Sequence, residues 1–143
     1  MIRVVIDSSV LIRYLLKPSR ATRELIEQTW LDEKIEVVTA PELMHELADV
    51  LARPKIRRFV MQDEATALIE ALTLRGTILP PLGPVPPYTR DRKDDKFIAC
   101  AILGDAQYLI TYDEDLLVLG AVATVAILTP ESFACRLQES ESS

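Results

Sequence analysis

Two stretches decide how this chain is built: Ile2-Arg3-Val4-Val5-Ile6-Asp7 near its start and Tyr108-Leu109-Ile110-Thr111-Tyr112-Asp113 near its end. Each is a short apolar run that stops at an acid. Runs of this length, rich in Val, Ile and Leu, read as buried strands. Ile35-Glu36-Val37-Val38, Thr77-Ile78-Leu79 and the segment 124–128 read as three more. Helical patterns separate them. Strands alternating with helices imply right-handed βαβ crossovers and a mostly parallel sheet. In such a sheet the side chains at strand carboxyl ends meet in one crevice. Asp7 and Asp113, far apart in the chain, are therefore expected to share a site.

The helices have recognisable punctuation. Asp7-Ser8-Ser9 offers capping side chains for a first helix carrying Val10, Leu11, Tyr14 and Leu15 and ending near Pro18. Ser19 is placed to cap a second, on which Ala21, Leu25, Ile26 and Trp30 roughly keep the helical period. Ala40-Pro41 opens a third, which stops before Pro54. A short helix over 55–61 and a longer one over 63–74 follow, the latter with Ala65, Leu68, Ile69 and Leu72 as its stripe and Gly76 as its stop. Pro80, Pro81, Pro84, Pro86 and Pro87 make 80–93 an extended loop. A helix of about ten residues is expected to start near Asp94 and end at Gly104. Thr129-Pro130-Glu131 opens the last helix. Residues 1–137 are expected to form a single domain, and the Ser/Glu-rich tail 138–143 to be disordered.

With 143 residues, 49% of them hydrophobic, the chain is long enough to bury a sizeable core. No apolar stretch approaches the roughly 20 residues of a membrane span. Asp7 interrupts the N-terminal apolar run, so no signal peptide is expected there. Cys100 and Cys135 are widely spaced in predicted helices and read as buried reduced thiols. One His and no close Cys pair exclude a zinc site. A cytoplasmic location is expected. The net charge of −6 argues against a general nucleic-acid binder. Basic residues nevertheless bunch locally, as Arg53, Lys55, Arg57 and Arg58, and as Arg90, Arg92, Lys93 and Lys96. Such patches either hold phosphates or form solvated faces.

More acids lie near the expected crevice. On the helix from residue 41, Leu43, Leu47, Val50 and Leu51 form the apolar stripe and Glu46 borders it, with Glu42 and Asp49 on the more polar side. Asp95 precedes Ile98, Ala99 and Ile102 by three, four and seven positions and so shares the inward face of its helix, whereas Asp94 fits the cap better. Asp115 follows Asp113. Capping, dipole and turn preferences explain each acid singly. Their convergence on one sheet edge points to a hard cation, since clustered carboxylates repel unless a cation lies between them. Mg²⁺ and Mn²⁺ prefer oxygen ligands. Two such ions about 3.5–4 Å apart orient an attacking water and stabilise a leaving oxygen, with no His or Cys nucleophile. His45, the neighbour of Glu46, is expected to face outward, because successive helical residues point about 100° apart.

The quoted segments resemble those of the PIN-domain ribonucleases, in particular the VapC-like toxins of toxin–antitoxin systems. Val4-Val5-Ile6-Asp7-Ser8-Ser9-Val10 is similar to the family's opening motif, with Ser8 and Ser9 where Thr and Asn are common. Glu46-Leu47-Ala48-Asp49-Val50-Leu51-Ala52-Arg53-Pro54-Lys55 resembles the second motif and selects Glu46 from its three candidates. Asp91-Arg92-Lys93-Asp94-Asp95-Lys96-Phe97-Ile98-Ala99-Cys100-Ala101 resembles the third, its key acid corresponding best to Asp95. The segment Tyr108–Leu117 resembles the fourth, with Asp113 as main acid and Asp115 as accessory. The similarity spans nearly the whole chain, with an unusually proline-dense loop as its main departure.

The resemblance implies a three-layer α/β/α fold with a five-stranded parallel sheet. It also implies endonucleolytic cleavage of RNA, a homodimer and a small inhibitory antitoxin protein. Asp7, Glu46, Asp95 and Asp113 are assigned to catalysis and, with Asp115, to Mg²⁺ or Mn²⁺. Ser9 and Thr111 are expected to support the ligands, and Arg53, Lys55, Arg90 and Lys93 to position the RNA backbone. Two rivals remain open: an aspartyl-phosphate phosphatase or receiver-type domain with Asp7 as nucleophile, and an inactive RNA- or protein-binding module of the same fold. The phosphatase rival generally wants a second acid two residues after the nucleophile, where this chain has Ser9.

Overall fold

The computed structural model describes residues 1–142. Its strands are β1 (Ile2–Ile6), β2 (Ile35–Thr39), β3 (Thr77–Ile78), β4 (Tyr108–Ile110), β5 (Ala121–Val122) and β6 (Val125–Leu128). They form one sheet in the order β3-β2-β1-β4-β6-β5. Every neighbouring pair is parallel except β5–β6, an antiparallel hairpin at the edge. The sheet thus has six strands rather than five. The added strand is a two-residue return that the sequence hides, since Ala121-Val122 is too short to show any alternation.

The helices are α1 (Ser8–Leu16), α2 (Arg20–Glu24), α3 (Pro41–Leu51), α4 (Pro54–Arg57), α5 (Gln62–Arg75), α6 (Arg92–Leu103), α7 (Glu114–Leu117) and α8 (Pro130–Ser142). After α2 the chain continues into a π-helical turn, Leu25–Trp30, whose wider winding keeps Leu25, Ile26 and Trp30 all buried. Helix α6 begins two residues before its expected start, because Asp91, not Asp94, is its cap: the Asp91 side chain accepts from Lys93 N. Helix α8 runs through residues 138–142, where a disordered tail was expected; residue 143 lies outside the described residues.

Strand alternation sorts the core into two layers. Val4, Ile6, Val37 and Ile110 face one side, where they meet Val10 and Leu11 of α1, Leu47 and Leu51 of α3, Leu68 and Leu72 of α5, and Phe133 of α8. Val5, Val38 and Leu109 face the other side, against Phe97, Ile98 and Ala101 of α6 and Leu116 of α7. The result is a three-layer α/β/α architecture. Helix α6 packs closely at its end: a Cβ on Gly104 would lie 2.6 Å from Val38 Cγ1.

The strand order reverses beside β1. The chain passes from β1 through β2 to β3 at one edge, then crosses to β4 on the other side of β1. The carboxyl ends of β1 and β4 therefore flank a topological switch point, where open α/β sheets bind ligands.

Candidate active site

Asp7 follows β1 directly and is 4% exposed. It caps α1 by accepting from Ser9 N at 2.9 Å. Its Oδ2 accepts the Ser9 hydroxyl at 3.2 Å and the Thr111 hydroxyl. Those two hydroxyls also accept from the loop after β4: Tyr112 N reaches Ser9 Oγ at 3.1 Å and Asp113 N reaches Thr111 Oγ1 at 2.9 Å. Ser9 and Thr111 thus tie the acid after β1 to the segment that carries Asp113. Burial pushes the Asp7 carboxyl from 3.8 up to about 6, although these hydrogen bonds favour its charged form; the charge of Asp113 adds to the rise.

Asp113 caps the short α7, accepting from Asp115 N at 2.9 Å. Asp94 approaches from the first turn of α6. Carboxylate oxygens of Asp94, Asp113 and Asp115 lie within 4.8 Å of one another. Asp94 is 9% exposed. Burial raises its carboxyl from 3.8 to about 7, helped by the charge of Asp113, a hydrogen bond with Asp113, and the charges of Asp7 and Asp91. Four acids from three separate segments thus share one electrostatic neighbourhood.

Asp95, the residue selected from the sequence, lies elsewhere. Its Oδ1 accepts from Tyr88 N at 3.0 Å, Thr89 N at 2.7 Å and the Thr89 hydroxyl at 2.9 Å. Burial alone would raise its carboxyl, but these donors and the nearby Arg92 outweigh burial and hold it below the usual value. Asp95 pins the proline-rich loop onto α6, and Asp94 takes the position facing Asp113. Both acids precede buried residues at helical spacing, Asp94 through Phe97, Ile98 and Ala101. Spacing therefore does not separate them; recognising Asp91 as the cap would have freed Asp94 from that role. Glu42 also anchors the loop, accepting from Leu82 N at 2.7 Å.

Glu46 is outside the three-acid cluster. Its Oε2 accepts the Ser8 hydroxyl and its Oε1 the Lys96 ammonium, each at 3.1 Å. Ser8 adjoins Asp7 and Lys96 follows Asp94 by two positions, so Glu46 is tied to both sides of the site. The sequence did not single out Ser8 as a site residue, and it placed Lys96 only in a basic patch that either holds phosphates or is solvated. His45 faces outward beside Asp49, as its helical position implied. Arg53, Lys55, Arg90 and Lys93 are all exposed. Cys100 is buried as expected, whereas Cys135 is exposed.

An all-carboxylate donor set suits a hard divalent cation and suits zinc poorly. Burial is the main cause of the raised Asp94 and Asp7 carboxyls, and the charge of Asp113 adds to both; a cation among these acids would relieve that repulsion. The residues therefore fit Mg²⁺ or Mn²⁺ but do not choose between them. Among the described residues no helix is long and apolar enough to cross a membrane.

Comparison with known proteins agrees with this architecture. A model of the PIN domain matches residues 3–115. The uncharacterized protein MJ1680 of Methanocaldococcus jannaschii is 29% identical over 120 residues, which cover 82% of this chain and 75% of that protein. The PIN domain of human SMG5 has a TM-score of 0.51 at 15% identity, with 94% of this chain and 98% of that chain covered. Mycobacterium tuberculosis VapC20, a toxin that cleaves the sarcin–ricin loop, has a TM-score of 0.53 at 16% identity, with 86% and 98% covered. At these identities the two structures speak for the fold.

Proposed function

The chain belongs to the PIN-domain family, a nuclease family, and from that premise we propose that it is a divalent-cation-dependent endoribonuclease acting as the toxin of a toxin–antitoxin pair. The observation that carries the chemistry is the Asp94–Asp113–Asp115 cluster, whose oxygens lie within 4.8 Å of one another. In this reading those three carboxylates hold Mg²⁺ or Mn²⁺. Asp7, fixed by Ser9 and Thr111, closes the inner side. When bound, the cation supplies a polarised water and a counter-charge for the leaving oxygen. Glu46, on α3, orients the attacking water and accepts its proton. Asp94 takes the role that the sequence reading gave Asp95, which keeps the loop in place. Arg53, Lys55, Arg90 and Lys93 hold the RNA backbone without reading bases.

The phosphatase alternative fares worse. Asp7 is 4% exposed and is held by Ser9 and Thr111, so its carboxylate is poorly reached by a phosphoryl group in line.

The same reading includes a homodimer and a small inhibitory antitoxin. A groove of about 640 Å³ between α1, α2, the π-helical turn and α5, lined by Tyr14, Leu15 and Leu31 together with Arg23, Glu27 and Arg75, suits an amphipathic partner segment. The test of the enzyme is cleavage of labelled RNA with Mn²⁺ or Mg²⁺ and with chelator, followed by mapping of the new ends. Asp94→Asn and Asp113→Asn should each lose more than the ~10–100-fold typical of an outer-shell partner. Full turnover by either variant, or metal-independent cutting, would overturn the assignment.

A further inference from the structure

We propose that Lys96 is a substrate-contacting residue of this site: its ammonium balances Glu46 in the free protein and donates to a phosphate oxygen of the bound RNA strand. The inference rests on the nuclease reading and gives one member of the second basic patch a specific role.

The argument begins with a charge problem. Asp7, Asp94, Asp113 and Asp115 surround one crevice, and Glu46 adds a further carboxylate close by. A polyanionic strand must approach this concentration of negative charge. Arg53, Lys55, Arg90 and Lys93 are exposed, which suits holding the strand away from the reacting phosphate. Lys96 differs in placement. Its side chain is 21% exposed and its ammonium lies 3.1 Å from Glu46 Oε1. Glu46 is held in turn by Ser8, the neighbour of Asp7. Lys96 also follows Asp94 on the first turns of α6. One cation is thus linked through Glu46 and Ser8 to the residue beside Asp7.

An ammonium carries three donors. One goes to Glu46, and the ammonium also lies 5.5 Å from the centroid of the Phe97 ring. Among the described residues it donates to no other oxygen or nitrogen, and a phosphate oxygen is the acceptor that an RNA strand brings in quantity. A compact ammonium suits this task as a point charge, without bidentate geometry. The ion pair also serves to join α3 to α6, so the experiment must separate a phosphate contact from a strut.

A fluorescent single-stranded RNA of mixed sequence, titrated in chelator against the full-length protein at several salt concentrations, reads phosphate contacts directly. Losing one such contact from a single strand lowers the slope of log affinity against log salt by about 0.7. Lys96→Gln should show that decrease with several-fold weaker binding, and with Mn²⁺ a raised KM. Lys96→Arg should restore most of both, because it keeps the charge. Thermal denaturation run in parallel reports the strut. A Lys96→Gln protein with a lowered melting temperature but an unchanged salt slope and KM would show that Lys96 only joins helices, and would overturn the proposal. If the unsubstituted protein neither binds nor cuts RNA, the nuclease reading falls and the role of Lys96 with it. If it does both and Lys96→Gln matches it, the role of Lys96 alone is refuted.

Discussion

Adjacent acids on α6 should respond in opposite directions to the same substitution. Asp94 sits beside Asp113 and Asp115, and its carboxyl is raised from 3.8 to about 7. At 1.36 kcal/mol per pH unit, that rise corresponds to about 4 kcal/mol of penalty on the charged form. Solvent screening at the open side of the crevice reduces it to about 1–2 kcal/mol. Asp94→Asn removes the penalty, so in chelator at about pH 8 the variant should be more stable than the parent by about 1–2 kcal/mol. For a domain of this size the melting temperature should rise by roughly 3–8 °C. Asp95 holds three donors on Oδ1 and its carboxyl is lowered. Asp95→Asn keeps an oxygen but loses the charge assistance, and should destabilise by about 1–2 kcal/mol. Adding Mn²⁺ should then raise the melting temperature of the parent and of Asp95→Asn, but barely that of Asp94→Asn. Urea denaturation and thermal shift read both quantities. If Asp94→Asn is destabilised like Asp95→Asn, or keeps the full Mn²⁺ response, the division of labour argued here is wrong.

Other outcomes follow from the same geometry. Both raised carboxyls, Asp7 at about 6 and Asp94 at about 7, belong to groups whose folded value exceeds the unfolded one. Their stabilising contribution is complete below about pH 4 and is lost as pH rises through about 6 and 7, so stability in chelator should decline over that window; a profile flat in chelator would contradict it, and Mn²⁺ should flatten it. Thr111→Val removes the hydroxyl shared by Asp7 and Asp113 N, leaves that N–H without its partner, and should cost about 1–3 kcal/mol in urea denaturation. Gly104→Ala sets a methyl 2.6 Å from Val38 Cγ1 and should destabilise by about 1–3 kcal/mol, measured the same way, with little change in Mn²⁺ response.

The parts of the fold that were legible in the sequence are those with strong local signals. The Val/Ile runs of β1 and β2 and the Ser19 cap each declare their element. The edge strand β5 escaped because two residues carry no period. Asp7 and Asp113 were legible because strand ends converge at a switch point whatever the side-chain detail. The choice between Asp94 and Asp95 was not. Two neighbouring acids on a helix buried nearly all round give equivalent patterns, and what separates them is the distant Tyr88–Thr89 backbone that captures one of the two. The Ser8–Glu46–Lys96 chain was equally hidden, since it joins residues on three different helices.

Both rims of the sheet are two-residue strands, Thr77–Ile78 and Ala121–Val122. So short a rim offers an incoming strand almost no row of unpaired amides to copy, which blunts edge-to-edge aggregation, and Pro80 and Pro81 follow one of them just past Leu79. Self-association by sheet extension is thereby disfavoured.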